Sequence, residues 1–219
     1  MAAARSRGPD GAPAPVDGRR ARRDRNADAV IDALLEFLAE GTLYPTMPEV
    51  ARRAGVSLRS VFRYFDDVDS LVVHALRRQA STWSDVVHLA APEPGTALAD
   101  RIEAMARHRA DEYAVIGPLA RAAWARRRTN PVLDAGIHRM QMTVHEEVRA
   151  QFAPELDATP EDERVVLHDA LHAAIHFQNS EHLHVCLGLP LDRLVEAHRL
   201  VLRGLLHGFV AAEVSQHDA

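Results

Sequence analysis

Lysine is absent from the 219 residues: all 26 basic side chains are arginine. With the abundant alanine, this points to the codon usage of a GC-rich genome and carries no mechanism. Aromatic residues make up only 5%, and runs alternating Val, Ile, Thr or Tyr are missing, which excludes an all-β fold and favours helix. The lone Cys186 excludes an intrachain disulfide and reads as a buried thiol of a reducing compartment. No apolar run approaches the ~18 residues that span a bilayer, and no apolar leader follows Met1. The expected location is cytoplasmic, without a membrane partner. Also missing are a Gly-rich phosphate loop, a Gly-x-Ser-x-Gly elbow, a His-Glu-x-x-His pair and the two Glu-x-x-His motifs of a helical di-iron site, whose nearest approach is Asp169-Ala-Leu-His172. These absences argue against an enzyme and against a bound cofactor, and leave a helical metal-binding enzyme only as an alternative.

What is present suits a folded chain with a sizeable core: 47% apolar and 26% charged residues, in a length that fits one body of about 150 residues plus a small appended domain. The net charge of -5 hides an asymmetry. Residues 1–80 carry 13 Arg against 11 acids, and residues 81–219 carry 13 Arg against 20. The basic end is the candidate for an anionic partner.

Six Gly and Pro residues between Gly8 and Gly18, then Arg19, Arg20, Arg22, Arg23 and Arg25, read as a disordered basic arm over residues 1–24. Val30, Ile31, Leu34, Leu35 and Leu38 recur at helical spacing from Asn26 to Glu40, where Gly41 suits a C-cap. Thr46-Met-Pro-Glu49 is a capping-box pattern opening a second helix that ends at Ala54. Gly55 breaks the chain, Ser57 caps a third helix of about eight residues, and Asp66, Asp67 and Asp69 stand at the positive end of a fourth. Beyond them, Gly and Pro signals predict helices near 96–116, 118–128, 131–152, 160–183 and 191–214.

The segment Thr46–Phe65 has the spacing of a helix-turn-helix, in which the second helix enters a major groove ~12 Å wide. Leu58, Arg59 and Ser60 then face the base edges. Arg63 and Tyr64 lie further along as phosphate or base contacts, and the amides at Thr46 and Ser57 offer helix N-termini to phosphates. The plainer alternative is a helical hairpin with a solvated charged face.

At these residues the chain resembles the TetR family of bacterial transcription regulators. The run Thr46-Met-Pro-Glu-Val-Ala-Arg-Arg-Ala-Gly-Val-Ser57-Leu-Arg-Ser-Val-Phe-Arg-Tyr-Phe65, followed by Asp-Asp-Val-Asp-Ser-Leu71, carries the resemblance, which covers roughly residues 26–76. It implies an all-α fold: an N-terminal helix-turn-helix DNA-binding headpiece over residues 25–72, then a helical-bundle ligand-binding and dimerisation domain over residues 73–219. It implies contact with a double-stranded DNA operator by Leu58, Arg59, Ser60, Phe62 and Tyr64, and a repressor released by a small-molecule effector. Two departures remove backbone contacts usual in the family: Phe62 lacks the hydroxyl of the usual Tyr, and Val68 replaces the usual Lys.

The resemblance also implies a homodimer through the last two helices. The final segment supports this by its own pattern, since Leu194, Val195, Val201, Leu202, Leu205, Leu206, Phe209 and Val210 cover more than one stripe and Gly204 and Gly208 permit close approach. A central core helix of a monomer is the alternative. The implied effector pocket has Met105, His108, Tyr113, Trp124, Met140, Met142, His172, His176 and Phe177 as candidate walls. His168, His172 and His176 form a band with Asp169 and Asn179 opposite Val166, Ala170, Ala173 and Phe177. With Glu181, His182 and His184 close behind, a metal-sensing regulator is a second alternative.

Overall fold

The computed structural model describes residues 16–82 and 88–216, with side chains described over 21–80 and 88–208. These residues form helices and no strand: α1 (Val16–Ala39), α2 (Met47–Arg53), α3 (Leu58–Phe62), α4 (Val68–Thr82), α5 (Leu98–Arg126), α6 (Pro131–Gln151), α7 (Ala153–Ala158), α8 (Glu161–Ala174), α9 (Phe177–Glu181), a π turn (His182–Cys186) and α10 (Leu191–Gln216). None of the helices is long and apolar enough to cross a membrane.

The short helices of the headpiece stand because each end is chemically finished. Thr42 N donates to Phe37 O over 2.8 Å, with Gly41 at φ 86° closing α1, and Val56 N donates to Ala51 O over 3.1 Å with Gly55 at φ 67° closing α2. A left-handed residue is needed at both places, and glycine adopts it without Cβ strain. Asp67 Oδ1 accepts the Ser70 amide at 2.7 Å and caps α4. The inward faces then meet: Val30, Leu34 and Leu38 of α1, Val50 of α2, Val61 of α3 and Leu71, Val72 and Ala75 of α4 share one core. That core runs on without a break into Leu119, Ala122 and Ala123 of α5 and Leu133 and Ile137 of α6. The headpiece is therefore packed onto one end of the body, and α5 is the spine that touches α1, α4, α6, α9 and α10. A second core at the far end joins Ile102 and Met105 to Val148, Phe152, Leu156, Leu171 and Leu202.

Several boundaries differ from the sequence reading, each for a physical reason. The first helix starts at Val16 rather than Asn26, so the root of the expected arm continues α1; residues 1–15 lie outside the described residues. The two helices expected at 96–116 and 118–128 are one, with Pro118 inside it. Pro118 removes one intrahelical bond, to Ala114, but Ala114 is on the exposed side where water can take the carbonyl, and burial of Ile116, Leu119, Ala120 and Ala123 holds the helix through. The helix expected at 160–183 breaks at Ile175, and His176 caps α9 by accepting the Gln178 amide at 3.2 Å. Pro154, read as a stop, sits in the first turn of the unexpected α7. On α8 the buried residues are Leu167 and Leu171, whereas Val166 and Ala173, on the face opposite the histidine band, are exposed. Cys186, expected to be buried, is exposed on the π turn.

Candidate nucleic-acid interface and effector cavity

The recognition unit is built from its caps outward. Thr46 N and Oγ1 both donate to Glu49 Oε2, over 2.8 and 2.7 Å, and the Thr46 hydroxyl accepts the Glu49 amide at 3.4 Å. These bonds hold the Glu49 carboxyl below its usual range, the Thr46 hydroxyl contributing most. The capping box is complete, so the amide and hydroxyl of Thr46 are already spent on a carboxylate. At α3, Ser57 Oγ accepts the Ser60 amide at 3.2 Å and meets Ser60 Oγ at 2.9 Å, which occupies both serines in holding the helix start.

The outward face of α3 is what remains. Leu58 is 38% and Phe62 50% exposed, large apolar side chains outside the core that the described headpiece residues form. Arg59 and Arg63 are exposed beside them. Val61, on the opposite side, is fully buried and fixes the helix rotation. Tyr64 is half-buried; its hydroxyl accepts from Arg63 Nη2, and its ring also faces Arg23 of α1 at 5.9 Å. The lower turns of α1 thus bring Arg23 to Tyr64, just past α3, and Arg22 and Arg25 are exposed on the same turns. Five exposed arginines, Arg22, Arg23, Arg25, Arg59 and Arg63, together with an exposed Leu and Phe make a surface that can neutralise phosphates and touch base edges at once.

Behind the headpiece lies a cavity of about 320 Å³ between α4, α5 and α6. Val73, Leu76, Arg77 and Ala80 of α4 form one wall, and Trp124 and Met140 the opposite one. A second space of about 30 Å³, room for a water, lies beyond Trp124 and Met140 and is lined by Glu112, Tyr113, His176 and Phe177. Of the nine expected pocket residues, Trp124 and Met140 line both spaces, and Tyr113, His176 and Phe177 line the smaller. Met105 is fully buried in the far core, Met142 is 44% exposed on the surface, and His108 and His172 line neither space. The sequence reading missed the α4 wall, although Val73, Leu76, Arg77 and Ala80 recur at the spacing of one helix face.

Two buried polar groups flank the smaller space. Arg109 places Nη1 2.9 Å from Glu112 and Nη2 2.8 Å from Glu147; burial raises the Glu112 carboxyl to about 7, against the pull of Arg109. Tyr113 donates to Glu181 at 2.7 Å, and Arg121 pairs with the same carboxylate. Burial pushes the Tyr113 hydroxyl up to about 12.

The histidine band is held together by ring contacts and a backbone bond. His145 of α6 stacks on His168 at 3.7 Å between centroids and meets His172 edge-on at 5.4 Å, while His172 meets His176 at 5.6 Å. His168 Nε2 bonds to the His145 carbonyl at 2.8 Å, His184 Nδ1 to the Leu189 carbonyl at 2.7 Å, and Glu181 is taken by Arg121. Among the described residues no group of three or more His, Cys, Asp or Glu is arranged to hold a metal ion. Burial holds the His172 imidazole down at about 4, with His176, His145 and His168 adding to the effect.

No family model matches the chain. Over 99 residues it is 34% identical to the HTH-type transcriptional regulator BetI of Rhizobium meliloti (strain 1021), a stretch that is 44% of this chain and 47% of that protein. The match thus spans about half the length of that curated relative. Among solved structures, a transcriptional regulator from Rhodococcus sp. RHA1 is similar with a TM-score of 0.60 at 21% identity, over 85% of this chain and 96% of that one. A TetR-like transcriptional regulator from the same source gives 0.59 at 13% identity, again over 85% and 96%. The chain has the fold of TetR-type regulators, a helix-turn-helix headpiece on a helical body, and the proteins it is similar to are transcriptional regulators.

Proposed function

We propose that the chain is a homodimeric TetR-family transcriptional regulator of the cytoplasm that grips an operator with α3 and acts as a repressor, letting go when a small molecule fills the cavity behind α4. The observation that carries this reading is the doubly capped α2-turn-α3 unit, which presents Leu58, Arg59, Phe62 and Arg63 outward from a headpiece rooted in a continuous core. Arg59 is the base reader, a fork matched to guanine O6 and N7. Leu58 and Phe62 are the apolar contacts, and Arg63 with Arg22, Arg23 and Arg25 are the phosphate contacts. Ser57, Ser60 and Thr46 act mainly by holding the helices in shape.

Dimerisation is supported by α8 and α10, which pack on each other and still expose Val165 (63%), Val166 (62%), Leu200 (71%) and Val201 (45%). The buried stripe Leu194, His198, Leu202 and Leu206 serves the body's own core, so the outer stripe is left for a second copy, with Gly204 and Gly208 leaving open space beside it. The side chains of Phe209 and Val210 lie outside the described residues. A two-fold dimer matches half-sites about 34–36 Å apart. Ligand response is supported by α4, which is at once a headpiece helix and a cavity wall. A ligand pressing on Val73 and Leu76 moves the base of the recognition unit, and a ligand that favours one α4 position shifts the dimer toward or away from operator spacing.

The test is binding to DNA fragments flanking the protein's own gene, at two salt concentrations and against excess unrelated duplex. Retention on one fragment with a steep salt dependence is the expected result. Absence of binding at low salt contradicts the regulator reading, and loss of all binding to unrelated duplex reduces it to charge alone.

A further inference from the structure

The larger cavity is one-sided in its chemistry. Its lining is apolar apart from Arg77 of α4, Arg139 of α6 and His88, and no described carboxylate belongs to it. Both arginines are exposed and stand at the mouth, and neither is ion-paired to a described residue. His88 is turned toward Glu147, 3.5 Å away. Two guanidinium groups with no described carboxylate partner therefore line one cavity, from two different helices, whose interior is apolar and walled by Trp124 and Met140. At about 320 Å³ the space lies at the lower end of the ~300–1,000 Å³ usual for organic ligands.

We propose that this cavity takes an amphipathic organic anion, its carboxylate held between Arg77 and Arg139 at the mouth and its apolar body lying against Trp124 and Met140. The inference rests on the regulator reading for its biological meaning, and on the cavity alone for its chemistry. A guanidinium fork matches a carboxylate bidentately, and charge-assisted bonds at a partly desolvated mouth are about twice as strong as neutral ones. A cation of the same body would meet two positive groups at the entrance. Glu147, which meets His88, and Glu112, which lines the smaller space behind Trp124 and Met140, are both already engaged by Arg109. A neutral ligand gains the apolar contacts but no charge-assisted bond to either arginine. Because Arg77 belongs to α4 and Arg139 to α6, a bound carboxylate also ties the headpiece helix to the body, which couples the charge of the ligand to the position of α3.

The experiment uses the full chain and three probes that share a phenylbutyl body: 4-phenylbutyrate, 4-phenylbutan-1-ol and 4-phenylbutylamine, each titrated by calorimetry without DNA. The expected order is acid, alcohol, amine, with the acid about tenfold or more tighter than the alcohol. The Arg77→Met/Arg139→Met double variant is expected to lose the acid's advantage and to bind the alcohol within about twofold of the parent, with an unchanged melting temperature because both side chains are exposed. The single variants Arg77→Gln and Arg139→Gln, each expected to lose part of the preference, serve if the double variant does not fold. Equal affinity for acid and alcohol, no acid binding at millimolar concentration, or a double variant that keeps the preference overturns the proposal. Tightest binding of the amine overturns it as well and moves the ligand's charge to Glu112. Since the titration needs no operator, failure of DNA binding with the acid preference intact strikes the regulator reading and not this one.

Discussion

Arg126, one helical turn past Ala122 on α5, places its Nε 3.0 Å from Asp69 in the first turn of α4, with its side chain 6% exposed. The same guanidinium donates to Leu43 O at 2.7 Å and to Ala122 O at 3.0 Å. One buried side chain of the body thus holds both the start of α4 and the loop between α1 and α2, the two places where the headpiece could swing away. Arg126→Met keeps the apolar stem and removes all three bonds. The expected loss is about 2 kcal/mol, the low end for breaking such a pair because Asp69 is partly solvated, or roughly 4–8 °C in melting temperature. Asp69→Asn is expected to lose about half of that. A change below about 0.5 kcal/mol in Arg126→Met would mean that the apolar core alone fixes the headpiece.

The recognition face separates two kinds of arginine. Arg59→Ala is expected to cost about 1–3 kcal/mol on the operator while leaving unrelated duplex almost unaffected. Arg63→Ala is expected to weaken both alike and to lower the salt slope by about one. Filter binding of each variant across a salt series distinguishes them; identical profiles would contradict the assignment of roles. Phe62→Tyr supplies the hydroxyl usual in the TetR family that the sequence resembles, and is expected to tighten operator binding a few-fold without altering sequence preference.

Acid and base act on opposite groups. His172 and His198 sit at about 4, both chiefly through burial, against an ordinary value near 6.5. The unfolded chain takes up their protons first, so the stability they contribute is full above about 6.5 and falls as pH drops toward 4. Glu112, raised to about 7 by burial, runs the other way: its neutral form suits the fold, and its contribution is full below about 4.5 and lost as pH rises through 7. Urea unfolding from pH 5 to 8 is expected to show Glu112→Gln gaining on the parent up to about pH 7 and then levelling. A pH-independent difference would show that the carboxyl is ionised throughout.

The stripe on α8 and α10 predicts the state of assembly. Val166→Glu with Leu200→Glu alters two side chains exposed by 62% and 71%, so the monomer fold is expected to change by less than about 0.5 kcal/mol. Sedimentation is expected to show a monomer, and operator binding to drop about 100-fold as the second half-site is lost. A dimer that survives both charges would place the interface elsewhere.

The sequence alone determined the headpiece. Its signals are local: a capping box at Thr46, a glycine at 55 that must be left-handed, a cap at Ser57, and apolar residues at helical spacing. Each names a backbone geometry within a few residues, so the fold of residues 26–76 and the exposed Arg59 were legible before any coordinates. The body was legible only as helix. Pro118 looks like a boundary by the same local rules, yet burial on the neighbouring positions carries α5 through it. His168, His172 and His176 look like one helical band, yet α8 ends at Ala174 and the band is completed by His145 from another helix, to which the chain between them gives no clue. The latch from Arg126 to Asp69 joins residues 57 positions apart, and the cavity joins α4 to α6. Contacts of that kind depend on how helices cross, which follows from the packing of whole faces and not from the spacing within any one of them.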